Sequence, residues 1–194
     1  MNADIKFDLP TTKELEEELY RIKYNQRYKK LFRSTIYALI IILAISVVIA
    51  TLIFPVLQIY ENSMSPTLEK GDIVLSVKTK DIKGGDVIAF YYNNHILVKR
   101  VIAVSSDWVE FDIEGNVYVN GRYINETYLK NKDVGKYDIS FPYQVPENTY
   151  FVLNDERSES LDSRSQIIGT IKQEDVVGKI IIRLWPMNKI GTLK

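Results

Sequence analysis

Residues 34–60 read STIYALIIILAISVVIATLIFPVLQIY, with no charged side chain among them. A helix rises about 1.5 Å per residue, so roughly 20 such residues cross the hydrocarbon core of a bilayer. The run is long enough to span a membrane, and it separates a short N-terminal tail from a larger C-terminal part. A transmembrane helix is expected over residues 34–58, with Pro55 marking the end of its regular portion. A buried core helix would be shorter. A cleaved secretory leader would have a shorter apolar run and would not follow 33 other residues.

The flanks of the run give an orientation. Residues 19–33 hold Arg21, Lys23, Arg27, Lys29, Lys30 and Arg33 with no acid, whereas beyond the run the first cation is Lys70. The positive-inside bias predicts a cytoplasmic tail over residues 1–33 and an extracytoplasmic remainder over residues 59–194. In the tail, Thr11 and Glu14 have the spacing of a capping box. Glu14, Glu16, Glu17 and Glu18 suit the positive end of a helix dipole, so a short helix is expected there.

The 194 residues allow one ordinary domain plus an appendage. Lys+Arg and Asp+Glu are each 25, and neither a basic patch nor a phosphate loop is present, so no nucleic-acid partner is expected. The absence of cysteine excludes thiol catalysis, disulfides and thiolate metal sites. His95 is the only histidine, which excludes a multi-histidine metal site.

Beyond residue 60 the pattern becomes one of short β-branched and aromatic runs separated by turn residues. Strands are expected over 73–77, 86–92, 96–104, 108–112, 117–119, 150–153 and 176–184. Gly84-Gly85, Asn93-Asn94, Glu114-Gly115-Asn116 and Asn120-Gly121 supply the turns between them. The last is the strongest hairpin signal, because a type I′ turn needs positive φ at both central residues. With no long amphipathic helix, the exterior part is predicted to be an all-β sandwich or barrel. Residues 122–148 are polar and irregular and are expected to form an insertion between two halves of the sheet.

Two stretches carry the chemistry. ENSMSPTL, residues 61–68, holds two candidate nucleophiles, Ser63 and Ser65. ILVKRVIAV, residues 96–104, places Lys99 on one face of a strand with Leu97 and Val101, and Arg100 on the other with Val98 and Ile102. Both faces are apolar, so the strand should be central. Arginine stays charged, so Arg100 needs a carboxylate partner. Lysine starts near 10.4 and burial can lower it by roughly 3–5 units, which makes Lys99 a candidate general base for a serine. A strand lysine can also carry its ammonium out to water. His95 adjoins a turn, has no distinctive acidic neighbour, and reads as a surface residue.

Three segments together resemble the type I signal peptidases, membrane-bound serine proteases that remove signal peptides from exported proteins. SMSPTL (residues 63–68) is similar to the family's S-M-x-P-T-L nucleophile box. VKRVI (residues 98–102) is similar to its lysine box, and NDERSESLDSR (residues 154–164) to its G-D-N-R-x-x-S-x-D-S-R box. The similarity runs from about residue 34 to the C-terminus. It implies Ser63 as nucleophile, Lys99 as general base, and Ser65 as a bystander. Ser160 would orient the lysine, Asp155 would pair with Arg100, and Asp162 with Arg164 would form a structural ion pair. The Ser63 backbone N–H would donate to the oxyanion, leaving the second donor open.

The resemblance further implies substrates that are signal peptides of exported preproteins, with small residues in an A-x-A pattern before the cut. They would bind by strand addition. No cofactor and no metal are implied. Membrane lipid would meet Phe54, Leu57, Ile59 and Tyr60, and the secretion machinery is an expected neighbour. The alternatives are an anchored secretion or pilus-assembly factor with little proteolysis, and a peptidase dedicated to few substrates. Three positions depart from the family pattern. Asn154 stands for a glycine and would be strained if its φ were positive. Glu156 stands for an asparagine. Glu61 stands where some relatives place an oxyanion-donating serine, and an ionised carboxylate cannot donate.

Overall fold

The structure, a computed structural model, describes residues 10–159 and 161–193. The chain divides into two units, split between residues 50 and 51. The first is dominated by helix α1 (Thr12–Ile53), 42 residues that contain neither glycine nor proline. The expected tail helix and the apolar helix are thus one continuous element. Its start uses half of the expected capping box. The Thr11 N–H donates to Glu14 Oε2 at 2.9 Å, and this bond holds the carboxyl below its usual range. Thr35 and Ser46 turn their hydroxyls back onto the Leu31 and Ile42 carbonyls at 3.0 and 2.8 Å. The helix is long and apolar enough to cross a membrane. It ends at Ile53 rather than reaching residue 58, because Pro55 lacks an N–H and disfavours α geometry in the residue before it.

The second unit is all β. The strands are β1 (Val56–Gln58), β2 (Ile73–Val77), β3 (Val87–Tyr92), β4 (His95–Ala103), β5 (Trp108–Phe111) and β6 (Val117–Val119). They continue with β7 (Arg122–Tyr123), β8 (Tyr143–Gln144), β9 (Thr149–Leu153), β10 (Ile171–Lys172), β11 (Val176–Trp185) and β12 (Gly191–Thr192). One antiparallel sheet runs β1-β2-β11-β3-β4-β9-β10, with β12 also on β11, and a smaller sheet runs β7-β6-β5-β8. The fold is therefore a single apolar N-terminal helix followed by an all-β domain, as the residue pattern predicts. Asn93-Asn94 and Asn120-Gly121 both take positive φ in two-residue turns, the latter at 52° and 72°.

Strand β4 is central, and both of its faces are covered. Leu97 and Val101 pack with Ile88, Phe90, Tyr150 and Val152. Ile102 and Ala103 pack with Val109, Val117, Phe151 and Leu153. Val98 lies against a third cluster of Ile59, Met64, Leu68, Val74, Val87 and Ile180.

Residues 122–148 do lie in the chain between the two halves of the large sheet, β1–β4 and β9–β12, and they supply β7 and β8, the edges of the second sheet. One expectation is corrected. Ile59 is buried in the third cluster and is not available to lipid, whereas Phe54 and Tyr60 are exposed.

Candidate active site

Ser63 follows β1 on a tight turn. Leu68 N–H donates to Met64 O at 2.8 Å, and Ser65 N–H to Asn62 O at 2.9 Å. This local turn puts Met64 and Leu68 on one side, and both are fully buried in the third cluster. Two apolar anchors therefore fix the segment that carries Ser63, while Ser63 itself stays partly exposed. Its carbonyl accepts the Glu156 N–H at 3.0 Å, which ties the first of the three boxes to the third.

Lys99 projects from central β4 and is 1% exposed. Its Nζ lies 3.0 Å from Ser63 Oγ. Burial pushes the Lys99 ammonium below its usual value, and the carboxylates of Glu61, Asp162 and Glu159 work against that shift. Glu61 sits beside both groups, with Oε2 3.5 Å from Ser63 Oγ and 3.9 Å from Lys99 Nζ. A serine hydroxyl against a desolvated amine is an arrangement suited to nucleophile activation without histidine. His95 lies exposed at the start of β4.

Arg100, the neighbouring cation, is held away from this chemistry. Its Nε and Nη2 donate to the two oxygens of Asp155 at 2.8 and 2.7 Å, and Nη1 donates to Gly85 O at 2.8 Å. Thr67 bridges the pair, donating to Asp155 and accepting from Arg100. The guanidinium also stacks 3.8 Å from the Tyr128 ring centroid.

Tyr128 opens a layer that the sequence reading missed. Its hydroxyl donates to Glu126 at 2.7 Å, and Glu126 forms a buried ion pair with Arg157. Burial, with Glu126 next to it, pushes the Tyr128 hydroxyl far above its ordinary value. Residues of the irregular segment thus brace the arginine beside Lys99. The one available signal was the acidic-aromatic spacing Glu126-x-Tyr128, which is too common to single out.

Asp162 and Arg164 form a third buried, bidentate pair at 2.9 and 2.7 Å. Arg164 also donates to the carbonyls of Val134, Arg157 and Glu159, at 2.6, 3.1 and 2.6 Å. Gly135 makes room for it: its φ is +63°, and an added Cβ would lie 2.3 Å from Arg164 Nη1. Asn154 does not have positive φ, so the expected strain is absent. Its N–H donates to Asp162 and its side-chain amide to Glu159 O. Glu156 acts through its main chain on Ser63 and turns its carboxylate to Ser158. Ser160, the expected orienting serine, lies outside the described residues.

A groove of about 770 Å³ runs past Ser63, walled by Ile59, Met64, Ile96, Leu97, Val98 and Leu161. Free strand edges border it. β1 ends its sheet, and β9 pairs with β4 only from Arg100 onward, leaving residues 95–98 without a described partner on that side.

Known proteins share this sequence pattern. The model of the family described as signal peptidase, peptidase S26 matches residues 32–185. A probable signal peptidase I-2 of Synechocystis is 31% identical over 165 residues, covering 79% of this chain and 72% of the relative. Signal peptidase I P of Bacillus subtilis is 31% identical over 184 residues, covering 88% and 98%. A protein named inactive signal peptidase IA in Staphylococcus aureus is 31% identical over 164 residues, covering 79% and 92%. With a family match over most of its length and relatives of this extent, the chain belongs to the signal peptidase family, peptidase S26.

Proposed function

We propose that the chain is an active, membrane-anchored serine endopeptidase that removes signal peptides from exported preproteins. The observation that carries this reading is the buried Lys99 Nζ 3.0 Å from Ser63 Oγ. In the proposed reaction neutral Lys99 takes the Ser63 proton as Oγ bonds to the scissile carbonyl carbon. The tetrahedral species collapses, the carbon–nitrogen bond breaks, and the Lys99 ammonium returns its proton to the leaving amine. Lys99 next takes a proton from water, whose oxygen attacks the acyl ester. Ser63 leaves with that proton, freeing the signal peptide's carboxylate.

The Ser63 N–H, which donates to no described residue, is assigned to the oxyanion. The free edges beside the groove suit a substrate strand, and the apolar walls suit small side chains. Asp155, Arg100, Asp162 and Arg164 take supporting roles as two buried ion pairs, and Ser160 keeps its proposed role as the orienting serine. The apolar part of α1, with the basic residues before it, supports a single span over 34–53, the tail cytoplasmic and the β domain outside. Relatives from Staphylococcus aureus are named inactive, but this chain retains a hydroxyl and an amine in hydrogen-bond contact, which favours activity.

The test is preprotein cleavage by the full chain in phospholipid vesicles. Ser63→Ala and Lys99→Ala abolish processing, and Ser65→Ala retains it. Equal processing by wild type and Ser63→Ala would refute the reading.

A further inference from the structure

We propose that Glu61 is a positioning residue that holds the resting Ser63–Lys99 pair in an unreactive protonation state until substrate turns its carboxylate aside. This rests on Ser63 and Lys99 acting as proposed above. In the resting arrangement Lys99 Nζ lies 3.0 Å from Ser63 Oγ, and Glu61 Oε2 lies 3.5 Å from that oxygen and 3.9 Å from the amine, so the carboxylate favours a charged amine that donates to Oγ. That direction is the reverse of the one acylation needs. The hydroxyl proton faces a carboxylate, and the amine acts as donor, whereas a general base must present a lone pair to that same proton.

Three carboxylates face Lys99: Glu61 from the turn before the serine, and Glu159 and Asp162 from the loop after β9. Asp162 is committed to Arg164 through both oxygens. Glu61 makes its described ion pair with Lys99 alone, at 3.9 Å, and its side chain is 58% exposed while the lysine is 1% exposed. The lysine is fixed and the carboxylate can move. Glu61 also lines the groove beside Ser63, so a strand bound there runs alongside it. An ionised carboxylate left 3.5 Å from Oγ would oppose the negative charge that develops during attack. Displacing it removes that repulsion and the charge that holds the lysine proton, which then passes to water.

The experiment compares wild type, Glu61→Gln and Glu61→Asp as full chains in vesicles. It follows two rates against pH: preprotein cleavage and labelling of Ser63 by a fluorophosphonate. A unit charge 3.9 Å away in a water-like surrounding corresponds to about 1 pH unit. Glu61→Gln is therefore expected to move the rising limb of both profiles about 1 unit toward acid. Well below the wild-type midpoint this is a gain of about tenfold in rate, and Glu61→Asp returns most of the shift. Superimposable profiles for wild type and Glu61→Gln overturn the inference. Loss of both rates at every pH in Glu61→Gln also overturns it, because Glu61 would then be the base. The underlying reading fails separately, through Ser63→Ala cleaving as wild type does. An unshifted Glu61→Gln profile with cleavage that still needs Ser63 sinks the Glu61 role alone.

Discussion

Replacing Asp155 with alanine tests whether the Arg100 clasp is structural in the way its burial implies. The change deletes two charge-assisted bonds, at 2.8 and 2.7 Å, from a guanidinium that is almost entirely buried. What remains is the Gly85 carbonyl, the Thr67 hydroxyl and the face of Tyr128, none of which carries a full negative charge. Breaking a buried pair by removing one partner costs about 3–5 kcal/mol, against at most about 1 kcal/mol for an exposed pair. For a domain of this size that is a fall of roughly 6–20 °C in the unfolding midpoint. The assay is thermal unfolding in detergent, followed by fluorescence of Trp108 and Trp185, both of which lie in the β domain. A double variant, Arg100→Met with Asp155→Leu, separates the causes. It should recover most of the loss, because the penalty comes from the stranded cation rather than from a missing attraction. A loss under about 1 kcal/mol in Asp155→Ala, the exposed-pair range, refutes the reasoning. So does a double variant no more stable than the single one.

Burial holds Lys99 below its usual value, and only the neutral amine can accept the Ser63 proton. Cleavage is therefore expected to rise with pH through that lowered value and to fall away on the acid side, read as kcat/KM against pH. Lys99→Arg keeps a cation that never deprotonates in this range, so activity should fall at least about 100-fold at every pH, without an alkaline rescue. Gly135→Ala forces a Cβ to 2.3 Å from Arg164 Nη1 at a φ of +63°, and unfolding measurements should show a loss of about 1–3 kcal/mol. Gly121→Ala, at φ +72° but facing open space, should lose about 1–2 kcal/mol from backbone strain alone.

The elements set by local pattern were legible in the residues. The uncharged run before Pro55 is a helix because apolar, glycine-free chain satisfies its own backbone, and proline ends it. The strand carrying Lys99 is central because apolar residues on both faces leave no side for water. Asn120-Gly121 is a tight turn because few other residue pairs tolerate positive φ twice. The need of Arg100 for an acid followed from its permanent charge alone.

Other features depend on chain segments far apart in sequence. Val56–Gln58 is a strand only because β2 is there to pair with it. Ile59 looks like an extension of the anchor until Leu68, Val74 and Ile180 close over it. Glu126 and Tyr128 sit in polar, irregular sequence and become a buried brace only when Arg157 and Arg100 arrive from other elements. The residue types of Ser63, Lys99 and Glu61 were plain from the outset. Their 3.0, 3.5 and 3.9 Å separations, and the desolvation that shifts the lysine, belong to the tertiary structure. Sequence determines which groups can react, but only packing removes the water that would otherwise keep the lysine charged.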